Sequence, residues 1–144
     1  MARFKTTEND LTTFEALCEK WLSNLGIKSY VTSYRRTSMG SLAAVVVRVN
    51  TRSARFMLAT SWSRAVTMPE LEGCALHECL HVLMAQLVAE ALPNGVEALY
   101  PADPDRVDRE EEAVVVTLEN VLTRLAESKW PQIPAYNPDW YRAQ

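Results

Sequence analysis

A long apolar helix that carries two histidines is the feature that most constrains the fold of this chain. The helical segment runs from Met68 to Leu92: Pro69 suits its first turn, and Pro93 ends it. Because the segment is apolar on most sides, it predicts a helix buried at the centre of a domain. Buried polar side chains on such a helix need hydrogen-bond partners or a bound ion, because burying them unpaired costs free energy.

The two histidines of the chain stand four residues apart in this helix, as His77-Glu78-Cys79-Leu80-His81. Residues i and i+4 share one helix face, so both imidazoles can bind one Zn²⁺ from the same side. Glu78 can then reach a water at the metal and act as general base. Random placement gives this H-E-x-x-H pattern in roughly one chain of this composition in eight hundred, so we favour a metal site over two ordinary helix histidines.

A catalytic zinc takes three protein ligands, and a carboxylate or a thiolate must supply the third because the chain has no other histidine. The predicted helix from Asp105 to Ser128 offers Glu110, Glu111 and Glu112 near its start. A helical wheel places Glu111 in the middle of the apolar stripe, which favours it slightly without excluding Glu112.

Three other side chains are expected near the site. Cys74 lies one turn before His77 and is expected to be a small buried side chain, as is Cys79. Glu119 could accept a hydrogen bond from a ligand imidazole, although exposure to solvent is its more ordinary fate.

Composition indicates one domain spanning residues 1–144, with a core at 8–128 and an extended proline-rich and aromatic tail at 129–144. The formal net charge of −3 makes nucleic acid an unlikely principal partner. We expect no membrane partner, because no apolar run reaches the length of a span. The absence of a signal-like segment and the odd cysteine count of three favour a cytoplasmic protein with reduced thiols.

Periodicity predicts an α+β fold. A first helix spans residues 8–25 and ends at Gly26, and three strands follow at 27–36, 42–50 and 55–62. Short connections favour a mainly antiparallel β-meander, with the apolar strand 42–50 at its centre. The motif helix and the glutamate-bearing helix complete the core.

With this motif and this order of elements, the chain resembles the gluzincin branch of the zincin metallopeptidases. It is also similar to small H-E-x-x-H proteins of phage and prophage genomes. The resemblance covers about residues 8–128, although only the five-residue motif is specific. It implies a zincin-like minimal core in which His77 and His81 are zinc ligands, Glu78 is the base, and Glu111 or Glu112 is the third ligand.

The resemblance also implies that an edge strand beside the cleft binds the substrate backbone, and the strand Arg55–Trp62 would suit this role. The chain lacks the downstream histidine or obvious tyrosine that larger members use on the transition state. The residues suggest only three candidates for polarising an oxyanion: Tyr100, Arg106 and Tyr136.

The expected function is therefore hydrolysis of a peptide or protein substrate by a zinc metallopeptidase. The alternative is a non-catalytic protein of zincin fold, in which a structural zinc supports a regulatory or protein-binding module. A structural site would be closed by a fourth protein ligand, such as Cys74 or a second carboxylate.

Overall fold

The computed structural model describes residues 3–91 and 105–127, and within these ranges the chain has an α+β fold of three helices and two small sheets. The predicted tail at 129–144 lies outside the described residues. The elements in chain order are β1 (Phe4–Lys5), α1 (Glu8–Asn24), β2 (Val31–Thr37), β3 (Ala43–Arg48), β4 (Ser53–Ala59), β5 (Ser61–Trp62), α2 (Met68–Ala91) and α3 (Asp105–Glu127).

Local signals set both ends of α1. The hydroxyl oxygen of Thr7 accepts a hydrogen bond from the backbone N–H of Asp10 at 3.1 Å, and the Asp10 carboxylate accepts one from the Thr7 backbone at 2.7 Å. This capping box satisfies two N–H groups at the start of the helix. At the other end Gly26 adopts a left-handed φ of 76°, which a glycine takes at low cost. The predicted first helix is thus confirmed.

The three predicted strands are present, but the predicted meander is wrong. The sheet order is β2-β4-β3, with β2 parallel and β3 antiparallel to β4. The last of the three predicted strands, β4, therefore lies in the centre of the sheet. The strand β3, which was expected in the centre, lies at the edge. Residues 38–42 can connect β2 to β3 because five residues easily span the roughly 10 Å between alternate strands.

Burial explains why β4 occupies the central position. Its alternate side chains Ala54, Phe56 and Leu58 are all buried, whereas β3 exposes Val46. Phe56 stacks on Tyr34 of β2 with ring centroids 5.1 Å apart and meets the edge of Phe14 of α1 at 6.5 Å. The end of the predicted third strand separates as β5 and pairs with β1.

Helix α2 lies between the other elements, as its apolar surface predicted. One side packs with α1 and the sheet, and another packs against α3 through a smaller cluster of Leu76, Leu80 and Val115. Burial on several sides fixes the rotation of α2, and with it the direction in which its histidines point. No helix within the described ranges is long and apolar enough to cross a membrane.

Candidate metal centre

The two histidine rings of α2 point into the gap between α2 and α3. Their Nε2 atoms are 3.2 Å apart, and each side chain is about one-fifth exposed (22% for His77 and 23% for His81). Two nitrogen ligands at about 2.0–2.1 Å from a tetrahedral zinc are about 3.3 Å apart, so this separation fits a shared ion.

Glu112 of α3 faces both of these nitrogens. Its carboxylate oxygens lie 3.1 Å from Nε2 of His77 and 2.9 Å from Nε2 of His81. Ligand atoms of these three residues all fall within 4.8 Å of one another. The described part of the chain thus brings two imidazoles and one carboxylate together at a point where they could hold a metal ion.

A second carboxylate lies behind each ring. His77 Nδ1 is 2.8 Å from Oε2 of Glu119, and His81 Nδ1 is 3.0 Å from Oε1 of Glu111. Because an ionised carboxylate only accepts hydrogen bonds, these contacts hold a proton on each Nδ1 and direct the Nε2 lone pair toward the gap. Metal-binding histidines generally have such a partner, which fixes the orientation of the ring.

The same contacts shift the protonation equilibria of the metal-free centre. The hydrogen bond with Glu119 raises the pKa of His77, and the hydrogen bond with Glu111 raises the pKa of His81, while burial opposes both shifts. Without an ion, the surrounding carboxylates therefore favour charged imidazolium rings. A divalent cation would supply the compensating positive charge in their place.

Glu78 lies beside the two rings and is only 7% exposed. Burial raises the pKa of its carboxyl group, and the neighbouring histidines act in the opposite direction. A carboxylate with a raised pKa is a better proton acceptor, which suits a general base near neutral pH.

The histidines open onto a cleft between α2, α3 and the edge strand β3. One part, of about 430 Å³, is lined by His77, Glu78, His81 and Glu112 together with side chains of β3. A second part, of about 270 Å³, continues past His77.

The segment Arg55–Trp62, expected to border the cleft, does not do so. Most of it forms the central strand β4, and β3 borders the cleft as the edge strand because β4 lies between it and β2. The sequence also gave no sign that Ser41 and Arg64 line the second part of the cleft. Both flank strands rather than the motif, and only the folded sheet brings them near it.

Two predicted glutamates thus occupy different positions around the rings. Glu111, which the sequence slightly favours as third ligand, contacts Nδ1 of His81 and is 19% exposed. Glu112 contacts the Nε2 atoms of both histidines and is 51% exposed. This geometry favours Glu112 as ligand, and the assignment stays a prediction. Glu119 accepts a hydrogen bond from His77, a role that the sequence left open to it.

The other residues singled out in the sequence are the two cysteines of α2 and the candidates for oxyanion or metal binding. Cys79 is fully buried, as expected, while Cys74 is only partly buried and lines the second part of the cleft. Tyr100 and Tyr136 lie outside the described residues, as do the side chains of Glu110 and Arg106.

Comparison with models of protein families, with curated proteins and with solved structures finds no match to this chain. Its functional assignment therefore rests on the geometry of this cluster and on the chemistry of its side chains.

Proposed function

We propose that the protein is a zinc-dependent metallopeptidase of gluzincin type, built on a minimal zincin-like core. The observation that carries the proposal is the cluster of His77, His81 and Glu112 beside the buried carboxyl group of Glu78. Two imidazoles and one carboxylate, with one position left for water, are a ligand set of catalytic zinc sites.

The chain's own residues divide the chemistry among them. A bound zinc ion would lower the pKa of a water to about 7 and polarise the scissile carbonyl group. Glu78 would accept the proton of the attacking water and pass it to the leaving amine. Glu111 and Glu119 would hold the rings of His81 and His77 in the orientation that ligation needs.

The edge strand β3 is the element best placed to bind a peptide substrate. Of the strands in its sheet, it pairs with β4 alone, so its other edge faces the cleft that holds the histidines. An extended peptide could add to this edge through backbone hydrogen bonds. Side chains of the substrate would then enter the two parts of the cleft on either side of Glu78.

The alternative of a structural zinc requires a fourth protein ligand. Among the side chains that the structure describes, only three form the cluster, and Cys74 is not one of them. A cluster of three beside an open cleft supports the hydrolase over the closed structural site.

The test compares Glu78→Gln with the wild-type protein and with Glu72→Gln, an isosteric control on the same helix that removes a surface partner of Lys20. We expect all three to bind one zinc per chain by elemental analysis. Hydrolysis of a mixed peptide library, followed by mass spectrometry, should be lost only in Glu78→Gln and in chelator-treated wild type. Equal cleavage by Glu78→Gln would exclude Glu78 as base, and the absence of zinc from the wild type would exclude the site.

A further inference from the structure

Charge is strongly segregated along this chain. Residues 20–69 contain eight of its fifteen lysines and arginines and none of its eighteen aspartates and glutamates. This stretch includes β2, β3 and β4, so the three-stranded sheet is built from a purely basic segment of an acidic protein. The net charge of −3 is an average over two unlike parts and says little about the charge of any one surface.

The strand period places three of these arginines on the outer face of the sheet. In β4, Ala54, Phe56 and Leu58 point into the core, so Arg55 points away from it. Arg35 of β2 and Arg48 of β3 are exposed on the same side.

The register aligns these arginines in a diagonal row across the sheet. Arg55 lies in the central strand, Arg35 pairs with Met57 on one side, and Arg48 pairs with Ser53 on the other. Each outer arginine is therefore one strand over and two residues along from Arg55. With strands about 4.8 Å apart and about 3.3 Å per residue, neighbouring Cα atoms in the row are about 8 Å apart.

This row has no carboxylate partner among the described residues. Lys20, Arg36 and Arg64 do form ion pairs with acidic side chains, and none of them belongs to the row. The contact found for Arg35 is with the sulfur of Met57 at 3.9 Å. A shallow depression of about 150 Å³ between Arg48 and Arg55 lies on the same face.

We propose that this outer sheet face binds the phosphate backbone of a nucleic acid. The planar guanidinium group pairs with phosphate through two hydrogen bonds, and a straight row of three matches a linear polyanion better than a single small anion. The outward positions of these strands also carry Ser33, Ser53 and Ala44 and the exposed Val31 and Val46. None of these outward positions is an aromatic residue or a leucine, the side chains with which interfacial segments insert into lipid. The face lies on the side of the sheet away from the core, so the proposal is independent of the metallopeptidase function.

The test measures the fluorescence anisotropy of a labelled single-stranded oligonucleotide titrated with the full-length protein. Three phosphate contacts give a slope of log K against log salt of about −2, which is an affinity loss of about 20-fold between 50 and 200 mM salt. Arg48→Glu/Arg55→Glu should weaken binding at least about tenfold. The matched control, Lys5→Glu/Arg124→Glu, makes the same charge change at exposed positions elsewhere and should retain binding.

The milder variant Arg55→Gln, with circular dichroism on each protein, separates loss of the contact from loss of folding. Binding that falls equally in the control would attribute the effect to net charge and overturn the proposal. So would wild-type protein that binds phosphatidylserine vesicles but no oligonucleotide, or that binds neither.

Discussion

The assignment of the third metal ligand is testable because Glu111 and Glu112 are adjacent in sequence and hold different atoms of the histidine rings. Among the described side chains, Glu112 is the one carboxylate that faces both Nε2 atoms, at 3.1 and 2.9 Å, and Glu112→Gln would remove it. Glu111→Gln would instead replace the charged acceptor 3.0 Å from Nδ1 of His81 with a neutral amide. We therefore expect these two conservative changes to weaken zinc binding by different amounts.

The expected magnitudes follow from these roles. Mutation of a side chain that supports a ligand histidine through a hydrogen bond costs about 10–100-fold in metal affinity, or about 1.4–2.7 kcal/mol. Glu111→Gln and Glu119→Gln should fall in this range. Glu112→Gln removes a charged ligand and should exceed about 100-fold.

Competition against a chromophoric chelator at fixed pH measures all three affinities, with Glu15→Gln on the exposed surface of α1 as control. Circular dichroism of the metal-free variants verifies that each remains folded. A larger loss in Glu111→Gln than in Glu112→Gln would refute the reasoning and make Glu111 the ligand. Equal affinities in all four proteins would mean that zinc binds elsewhere.

Three further outcomes are expected. Phe56→Ala should destabilise the protein by about 3–5 kcal/mol in urea denaturation, because this side chain is fully buried, whereas Val31→Ala, 74% exposed, should change stability by less than about 0.5 kcal/mol. Folding raises the pKa values of His77 and His81, so these residues stabilise the folded protein below about pH 6.5, and this contribution is lost as pH rises through their pKa values in the folded state. The melting temperature of the metal-free protein should therefore fall over that pH window, and a rise would contradict this. Burial raises the pKa of Cys74 to about 12, so iodoacetamide should alkylate it far more slowly at pH 8 than a free thiol, as mass spectrometry would show.

The sequence predicted the helices well because their determinants are local. Gly26 ends α1 where a C′ glycine is expected, and the all-round apolar character of α2 matches its central position. The strands were also found, but their order depends on contacts between segments distant in sequence. The valines of β3 suggested a central strand, whereas the alternating burial of β4 decides the pairing.

The same distinction applies to the candidate site. His77, Glu78 and His81 could be placed on one helix face from spacing alone. The wheel correctly made Glu111 the more inward of the two glutamates, since it is less exposed than Glu112. The helical wheel could not show how α3 packs against α2, and that packing decides which carboxylate reaches the Nε2 atoms of the two histidines.

Because the apolar contact between α2 and α3 is small, an ion bound at this centre would also help to hold the two helices together. A metal held by His81 and Glu112 would tie together positions 31 residues apart in sequence, much as a covalent cross-link does. Among the described side chains, the apolar cluster that otherwise joins the two helices contains three buried ones, with partly buried side chains packed against them. Chelation should therefore accelerate hydrogen exchange and proteolysis in α3 well before it affects the sheet, so that the last described helix would report metal occupancy through its own local unfolding.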